Sequence, residues 1–273
     1  MKKTVLSAAL LAASLLSATS AMAAPVIYNL PITNIGAFDS IITGTGASVG
    51  TAPAVLGQSV YNYIDKNGNP ATVTVTRPIS GAAATPSQSS YGSGTGAIVK
   101  PLWDIGPNAG ITNLGSPQIP GFNDAGLTFT FSSPVNAFGL EIGDWATCCT
   151  TNDRPAGVQS AYGVPATGSG LWISFDGGAA TLPANALSAA DNPGYVAYGQ
   201  YTNFIGAIDS SGFFSKVSFF GDGFGEVLYA GGTLRFSSVP KGSVGTTVPE
   251  PASLALLGLG VAGLLAARRR KAA

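Results

Sequence analysis

Histidine is absent from all 273 residues. Its absence excludes Ser-His-Asp and Cys-His nucleophilic pairs, histidine zinc sites and imidazole general bases together. Charge is also scarce, at 10% of the chain, and cysteine occurs only as the adjacent pair Cys148 and Cys149. Without C-x-x-C spacing a redox-catalytic dithiol is disfavoured. Lys2, Lys3 and Arg268 to Lys271 lie at the two ends, as does Glu250, which leaves seven basic residues to set against 12 acidic ones. The middle is mildly acidic and has no basic stripe, so nucleic acid is not an expected partner. Solubility therefore rests on Ser, Thr, Asn and backbone, with 37 glycines in the chain.

The two ends carry most of the information. Met1-Lys2-Lys3 is a basic start, Val5 to Leu16 an apolar run, and Ala21-Met22-Ala23 an A-x-A cleavage site. This pattern predicts a signal peptide over 1–23, cut by signal peptidase after Ala23, with the mature chain starting at Ala24. At the other end, Ala252 to Ala267 gives 16 residues without a charge. As a helix they would span about 24 Å at roughly 1.5 Å per residue, slightly under a hydrocarbon core of about 30 Å. Val248, Pro249, Glu250 and Pro251 precede this predicted transmembrane helix over 252–267, and Arg268, Arg269, Arg270 and Lys271 follow it. The positive-inside rule keeps the arginines cytoplasmic and puts Pro249-Glu250-Pro251 beyond the opposite face, extended and open to a processing enzyme. Gly258-Leu259-Gly260-Val261-Ala262-Gly263 matches G-x-G-x-x-G, but no strand precedes it and no acidic residue follows, so a dinucleotide site is rejected.

This tail resembles the PEP-CTERM sorting signal of Gram-negative bacteria: Pro-Glu-Pro, an apolar stretch and terminal arginines, in that order. The resemblance implies export, a transient hold in the inner membrane, and recognition near Val248 to Pro251 by an exosortase-type transpeptidase. It further implies delivery to the cell surface or an exopolysaccharide matrix. Some ice-binding proteins share such a tail and lend it their name. A flat ice-binding face needs Thr at a fixed period on a solenoid, and no such repeat is found here.

Between the ends the apolar period is two. Leu127-Thr128-Phe129-Thr130-Phe131 alternates, as do Lys216 to Phe219 and Thr233 to Phe236. Asp65-Lys66-Asn67-Gly68-Asn69-Pro70 separates Val60 to Ile64 from Ala71 to Thr76, and Asp176-Gly177-Gly178 follows Leu171 to Phe175. Ser132-Ser133-Pro134 and Asp209 to Gly212 read as further hairpin turns. No amphipathic helix longer than two turns is expected between Ala24 and Thr247, and Ile41 to Gly57 and Gly81 to Gly96 read as long surface loops. The prediction is an all-β, antiparallel β-sandwich of jelly-roll type over 24–240, a tether over 241–247, and the sorting signal over 248–273. Phe122 to Trp145, Leu171 to Gly178 and Phe204 to Tyr229 resemble cargo domains often found ahead of such tails.

Chemistry for this cargo is limited. Carboxylates are the remaining acid/base groups: Glu141 and Asp144 lie near a strand end, and Asp222 and Glu226 bracket Gly-Phe-Gly. Two such sites brought together would form a glycosidase pair or hold calcium. Solvated strand-end acids are the favoured reading. Asp65, Asn67 and Asn69 have D-x-N-x-N spacing without the terminal Glu of a calcium loop, and a hairpin turn explains them better. Tyr195, Tyr198, Tyr201, Trp103, Trp145 and Trp172 offer rings for stacking on sugars, against the favoured alternative of core packing. Adjacent cysteines have Cα atoms about 3.8 Å apart, below the usual disulfide minimum of about 4.4 Å. A strained vicinal disulfide, two thiols and intermolecular pairing all stay open. The expectation is thus a non-enzymatic surface or matrix protein with no cofactor, structural or adhesive, with exopolysaccharide as a candidate ligand. The alternatives are a hydrolase with paired carboxylates and a calcium-stabilised lectin-like module.

Overall fold

Alternation of apolar and polar residues lets one strand face line a core while the other meets water, and the described residues contain thirteen strands, several of which are covered on both faces. The computed structural model describes residues 24–88, 101–105, 126–143, 154, 156–191, 200–221 and 228–244. All of them belong to the unit Ala24–Val244, one of two into which the chain divides. The strands are β1 (Val26–Pro31), β2 (Gly50–Pro53), β3 (Val60–Ile64), β4 (Pro70–Thr76), β5 (Ser87–Gln88), β6 (Pro101–Ile105) and β7 (Leu127–Val135). They continue with β8 (Ala137–Ile142), β9 (Ser169–Phe175), β10 (Thr181–Ala186), β11 (Asn203–Ile208), β12 (Phe214–Gly221) and β13 (Leu228–Ser237).

One sheet has the order β1-β11-β8-β13-β6-β5, with β2 pairing the other half of β13; the second has the order β10-β9-β12-β7-β4-β3. Every pairing is antiparallel. The all-β, two-sheet expectation therefore holds. Among the described residues, sequential strands pair with each other at β3–β4, β5–β6 and β9–β10, and β1 and β2 share the first sheet without pairing; from β6 to β9, and again from β10 to β13, the chain changes sheet at each connection.

Inward residues of both sheets form one core, centred on Phe129, Phe131, Phe138, Phe214 and Phe219. Phe129 lies 4.8 Å from Phe138 and 5.9 Å from Phe219, ring centre to ring centre. Tilted and edge-on contacts of this kind each add about 0.5–1.5 kcal/mol beyond area burial. Trp103 belongs to the same core, T-shaped against Tyr61 and Phe129, with its indole N–H donating to Ala84 O at 3.0 Å.

Three expectations need correction. First, helix α1 (Ile35–Gly44) is ten residues long, nearly three turns, and takes in the start of the expected Ile41 to Gly57 loop, which also contains β2. Its Gly, Ser and β-branched Ile and Thr are poor helix formers, and Ser40 and Thr43 bond back to Gly36 O and Asp39 O. Packing holds it instead: Ile35, Phe38 and Ile42 are buried on the outer face of the first sheet. Phe38 lies against Phe204 and Tyr28 in a trough kept open by Gly206, where a Cβ would come within 2.8 Å of the Phe38 ring. Second, Ser132-Ser133-Pro134 is not a hairpin turn. The β12–β7 register breaks between Phe214↔Val135 and Lys216↔Thr130, so these residues form a bulge inside β7, and β8 lies in the other sheet. Third, Asp209 to Gly212 likewise carries the chain between sheets, from β11 to β12.

Asn136 explains why these two connections become crossovers. It is 1% exposed at the β7–β8 corner, and all four of its polar groups are engaged. Its backbone N–H donates to Ser237 O at 3.1 Å and its C=O accepts from Asp209 N at 2.7 Å. Its Nδ2 donates to Val239 O at 2.9 Å and its Oδ1 accepts from Val239 N at 2.7 Å. Replacing it by alanine strands two buried groups of Val239, at about 1–3 kcal/mol each. Asn136→Ala is expected to lower unfolding free energy by about 2–6 kcal/mol in urea denaturation, with an unchanged slope.

Candidate functional site

Where the two sheets part at the β2 and β3 side, they leave a cleft of about 610 Å³, within the size range of small-ligand sites. Its walls come from the α1–β2 loop (Gly46 to Val49), the start of β2, the end of β3 with Asp65 and Lys66, and Val135, Phe236, Ser237 and Ser238. Phe236, Tyr63 and Val135 are buried and make an apolar floor. The Tyr63 and Phe236 rings lie 4.8 Å apart. Ser48, Thr51, Asn62, Lys66 and Ser238 supply hydroxyl, amide and ammonium groups around it. Gly50 is needed here, since a Cβ at that position would come within 2.4 Å of the Phe236 ring.

The cleft's geometry is fixed by its hydrogen bonds. Ser237 Oγ donates to Ser48 O at 2.7 Å, tying the α1–β2 loop to β13. The Tyr63 hydroxyl donates to the Ser133 carbonyl in the β7 bulge. Burial, foremost, raises the Tyr63 hydroxyl above its ordinary pKa, so it stays a donor at neutral pH. Asp65 Oδ1 accepts from the Asn67 and Asn69 amides, each at 2.8 Å, and Oδ2 accepts from Ser133 Oγ at 3.1 Å. The D-x-N-x-N stretch is therefore a hairpin turn. Lys66 places its Nζ 4.1 Å from the centre of the Phe213 ring.

Of the residues singled out from sequence, Glu141 is described, and it faces Arg235. Arg235 Nη1 lies 3.4 Å from Glu141 Oε1 and its Nε lies 3.2 Å from Asp39 Oδ1. Gly232 at φ +60° leaves the room for this carboxylate, because a Cβ there would come within 2.0 Å of Glu141 Oε2. Glu141 is thus committed to a clamp between α1 and β13. Among the described residues no group of three metal-ligating side chains forms. Asp144, Asp222, Glu226, Cys148, Cys149, Ala21, Ala23, Val248 to Pro251 and Arg268 to Arg270 lie outside the described residues.

Two of the stacking candidates are interior. Trp103 is in the main core, and Trp172 is fully buried on the outer face of the second sheet. Trp172 stacks on Phe220 at 6.1 Å, meets Tyr162 of helix α2 (Ala156–Tyr162) edge-on at 5.5 Å, and lies 6.0 Å from the Arg154 guanidinium. Tyr201 is half-buried and donates to Pro101 O at 2.8 Å. Trp145, Tyr195 and Tyr198 are outside the described residues. Ser238-Val239-Pro240-Lys241 has the S-x-x-K spacing of lysine-assisted serine nucleophiles, but it runs through extended chain into a turn. The helix that would bring i and i+3 to one face is missing. The sequence reading missed the cleft itself, because its walls come from four separate segments.

Residues 247–271 match the family described as the PEP-CTERM protein-sorting motif. The tail thus carries the sorting motif, which supports an exported, cell-surface-directed protein handled by an exosortase-type system. No curated protein and no solved structure matches the chain. Among the described residues, no helix is long and apolar enough to cross a membrane.

The Asn69 amide, foremost, holds the Asp65 carboxyl below its ordinary range. Its folded-state pKa is thus lower than the unfolded value of about 3.9, so its stabilisation is present above that value and lost as pH falls through the folded one. Asp191 is lowered in the same direction, by the Leu187 amide first. In thermal melts from about pH 5 to pH 2, Asp65→Asn is expected to flatten the acid loss of stability relative to wild type. Parallel curves would contradict it.

Proposed function

We propose that this chain is a non-enzymatic component of the cell surface or extracellular matrix of a Gram-negative bacterium, held to its place through neutral polysaccharide bound in the cleft. The observation that carries this reading is the cleft's chemistry, joined to the sorting motif on the same chain. An apolar floor bordered by hydroxyl and amide groups suits a sugar, whose ring faces are apolar and whose edges are hydroxyls. One carboxylate, Asp65, lies among the cleft's lining residues, and both of its oxygens are taken up by the hairpin turn. Glycoside hydrolysis needs a second carboxyl about 5–10 Å away and a free first one. That favours holding over cutting.

The strand order supports a jelly-roll arrangement as the scaffold. The run β6-β13-β8-β11 in one sheet faces β7-β12-β9-β10 in the other, as two interleaved Greek keys would have it.

Two experiments separate address from activity. Thr51 is exposed on the cleft wall, so Thr51→Trp is expected to fill the cleft and leave the fold intact. Retention on the producer's own exopolysaccharide should fall at least about tenfold, about 1.4 kcal/mol, while the thermal midpoint holds. Equal retention of the wild type on inert beads would defeat the proposal. For the address, a chain lacking 248–273 is expected to lose its surface location in cell fractionation, and unchanged location would refute the sorting role.

A further inference from the structure

Sheet edges attract other strands, and proteins usually protect them with proline, charge, bulges or short length. Most edges here have such protection. The β10 edge carries Pro183 and a register break between Thr181 and Ala184. On the first sheet, β2 is four residues with Pro53, β5 is two residues, and β1 ends in Pro31. The edge strand β3, Val60-Tyr61-Asn62-Tyr63-Ile64, has no proline, charge or bulge.

Its outer groups can be assigned from the register. Val60 pairs with Thr74, Val75 N donates to Ser59 O at 2.7 Å, and Asp65 N donates to Asn69 O at 2.9 Å. Odd-numbered residues therefore bond to β4, and the N–H and C=O groups of Val60, Asn62 and Ile64 point off the edge. Among the described residues the one contact on these groups is Gln58 Nε2, which donates to Val60 O at 2.7 Å and which a pairing strand would displace. Val60 and Ile64 are 44% and 66% exposed, beside exposed Val55 and Leu56.

We propose that β3 pairs antiparallel with β3 of a second copy about a two-fold axis through Asn62. The strand reads nearly the same in both directions, aliphatic, Tyr, Asn, Tyr, aliphatic, so that axis sets Val60 against Ile64 of the other copy and Asn62 against itself. All three outward residues then fall at hydrogen-bonded positions, giving about six main-chain bonds, two per pair. Aliphatic side chains meet on the outer face, where cross-strand pairs contribute most directly. Asp65 and Lys66 come opposite Ser59 and Gln58 of the other copy, so no like charges face each other. The isologous interface closes on itself and continues the six-stranded sheet into its copy. Asn62 and Ile64 also border the cleft, so pairing sets two clefts beside one axis.

Cysteine cross-linking on the full chain in the producing cells tests the register. Opposed residues of a hydrogen-bonded pair have Cα atoms about 5.5 Å apart, within disulfide reach. Asn62→Cys is expected to give an oxidised homodimer whose linked peptide, by mass spectrometry, joins position 62 to position 62. Ile64→Cys alone is expected to give none, since its two copies would be about four residues apart along the strand, roughly 13 Å. Co-expressed with Val60→Cys, it is expected to join 60 to 64. Adding Ile64→Lys to Asn62→Cys, at a site too exposed to unfold the domain, should cut the homodimer about tenfold. A folded Asn62→Cys protein without the link, a self-link at 64 as strong as at 62, or capture of a different protein at position 62 would each overturn the pairing.

Discussion

Asn136 sits where three separate parts of the chain have to meet. It joins the β7–β8 corner, the β11–β12 crossover through Asp209, and the segment leaving β13 through Ser237 and Val239. A buried amide is expensive unless each of its groups is satisfied, and here each one is. The arrangement is consequently selective: any other route for the chain, including the hairpins that the turn residues suggest, would leave this side chain unpartnered in the interior. Asp209 extends the lock, accepting from Ser211 N at 2.8 Å and Gly212 N at 3.0 Å to shape the second crossover.

Most of the strands could be read from the sequence, because a half-buried antiparallel strand displays its environment in its own alternation. Leu127 to Phe131 and Ala71 to Thr76 are such cases. Connections were less legible. Ser132-Ser133-Pro134 has turn chemistry, but turn chemistry also makes a bulge, and only the partner strand β12 distinguishes the two. Helix α1 was hidden for a related reason: Ile35, Phe38 and Ile42 have helical spacing, yet the residues between them favour other conformations. What stabilises the helix is a glycine-floored trough formed by the neighbouring β1 and by β11, which lies more than 150 residues further along the chain.

The site was less legible than the fold. Glu141 was visible as a strand-end acid, but its role depends on Arg235, a neighbour only through β8–β13 pairing. Asp65 was readable because its partners, Asn67 and Asn69, are local. The cleft draws on residues from Gly46 to Ser238, and no single segment signals it. The tail is the opposite case: its order of Pro-Glu-Pro, apolar run and arginines is entirely local, and the family match covers that same stretch.

The position of β13 has a mechanical consequence. It is an interior strand, bonded to β8 along one side and to β6 and then β2 along the other, and the chain runs directly from it toward the sorting motif. Tension applied at the C-terminal end first meets the Gly242–Ser210 and Val239–Asn136 bonds, and beyond them it loads both rows of the β13 hydrogen bonds in shear. An edge strand in that place would peel away one bond at a time. The cargo is thus joined to its sorting segment through an interior strand held on both sides.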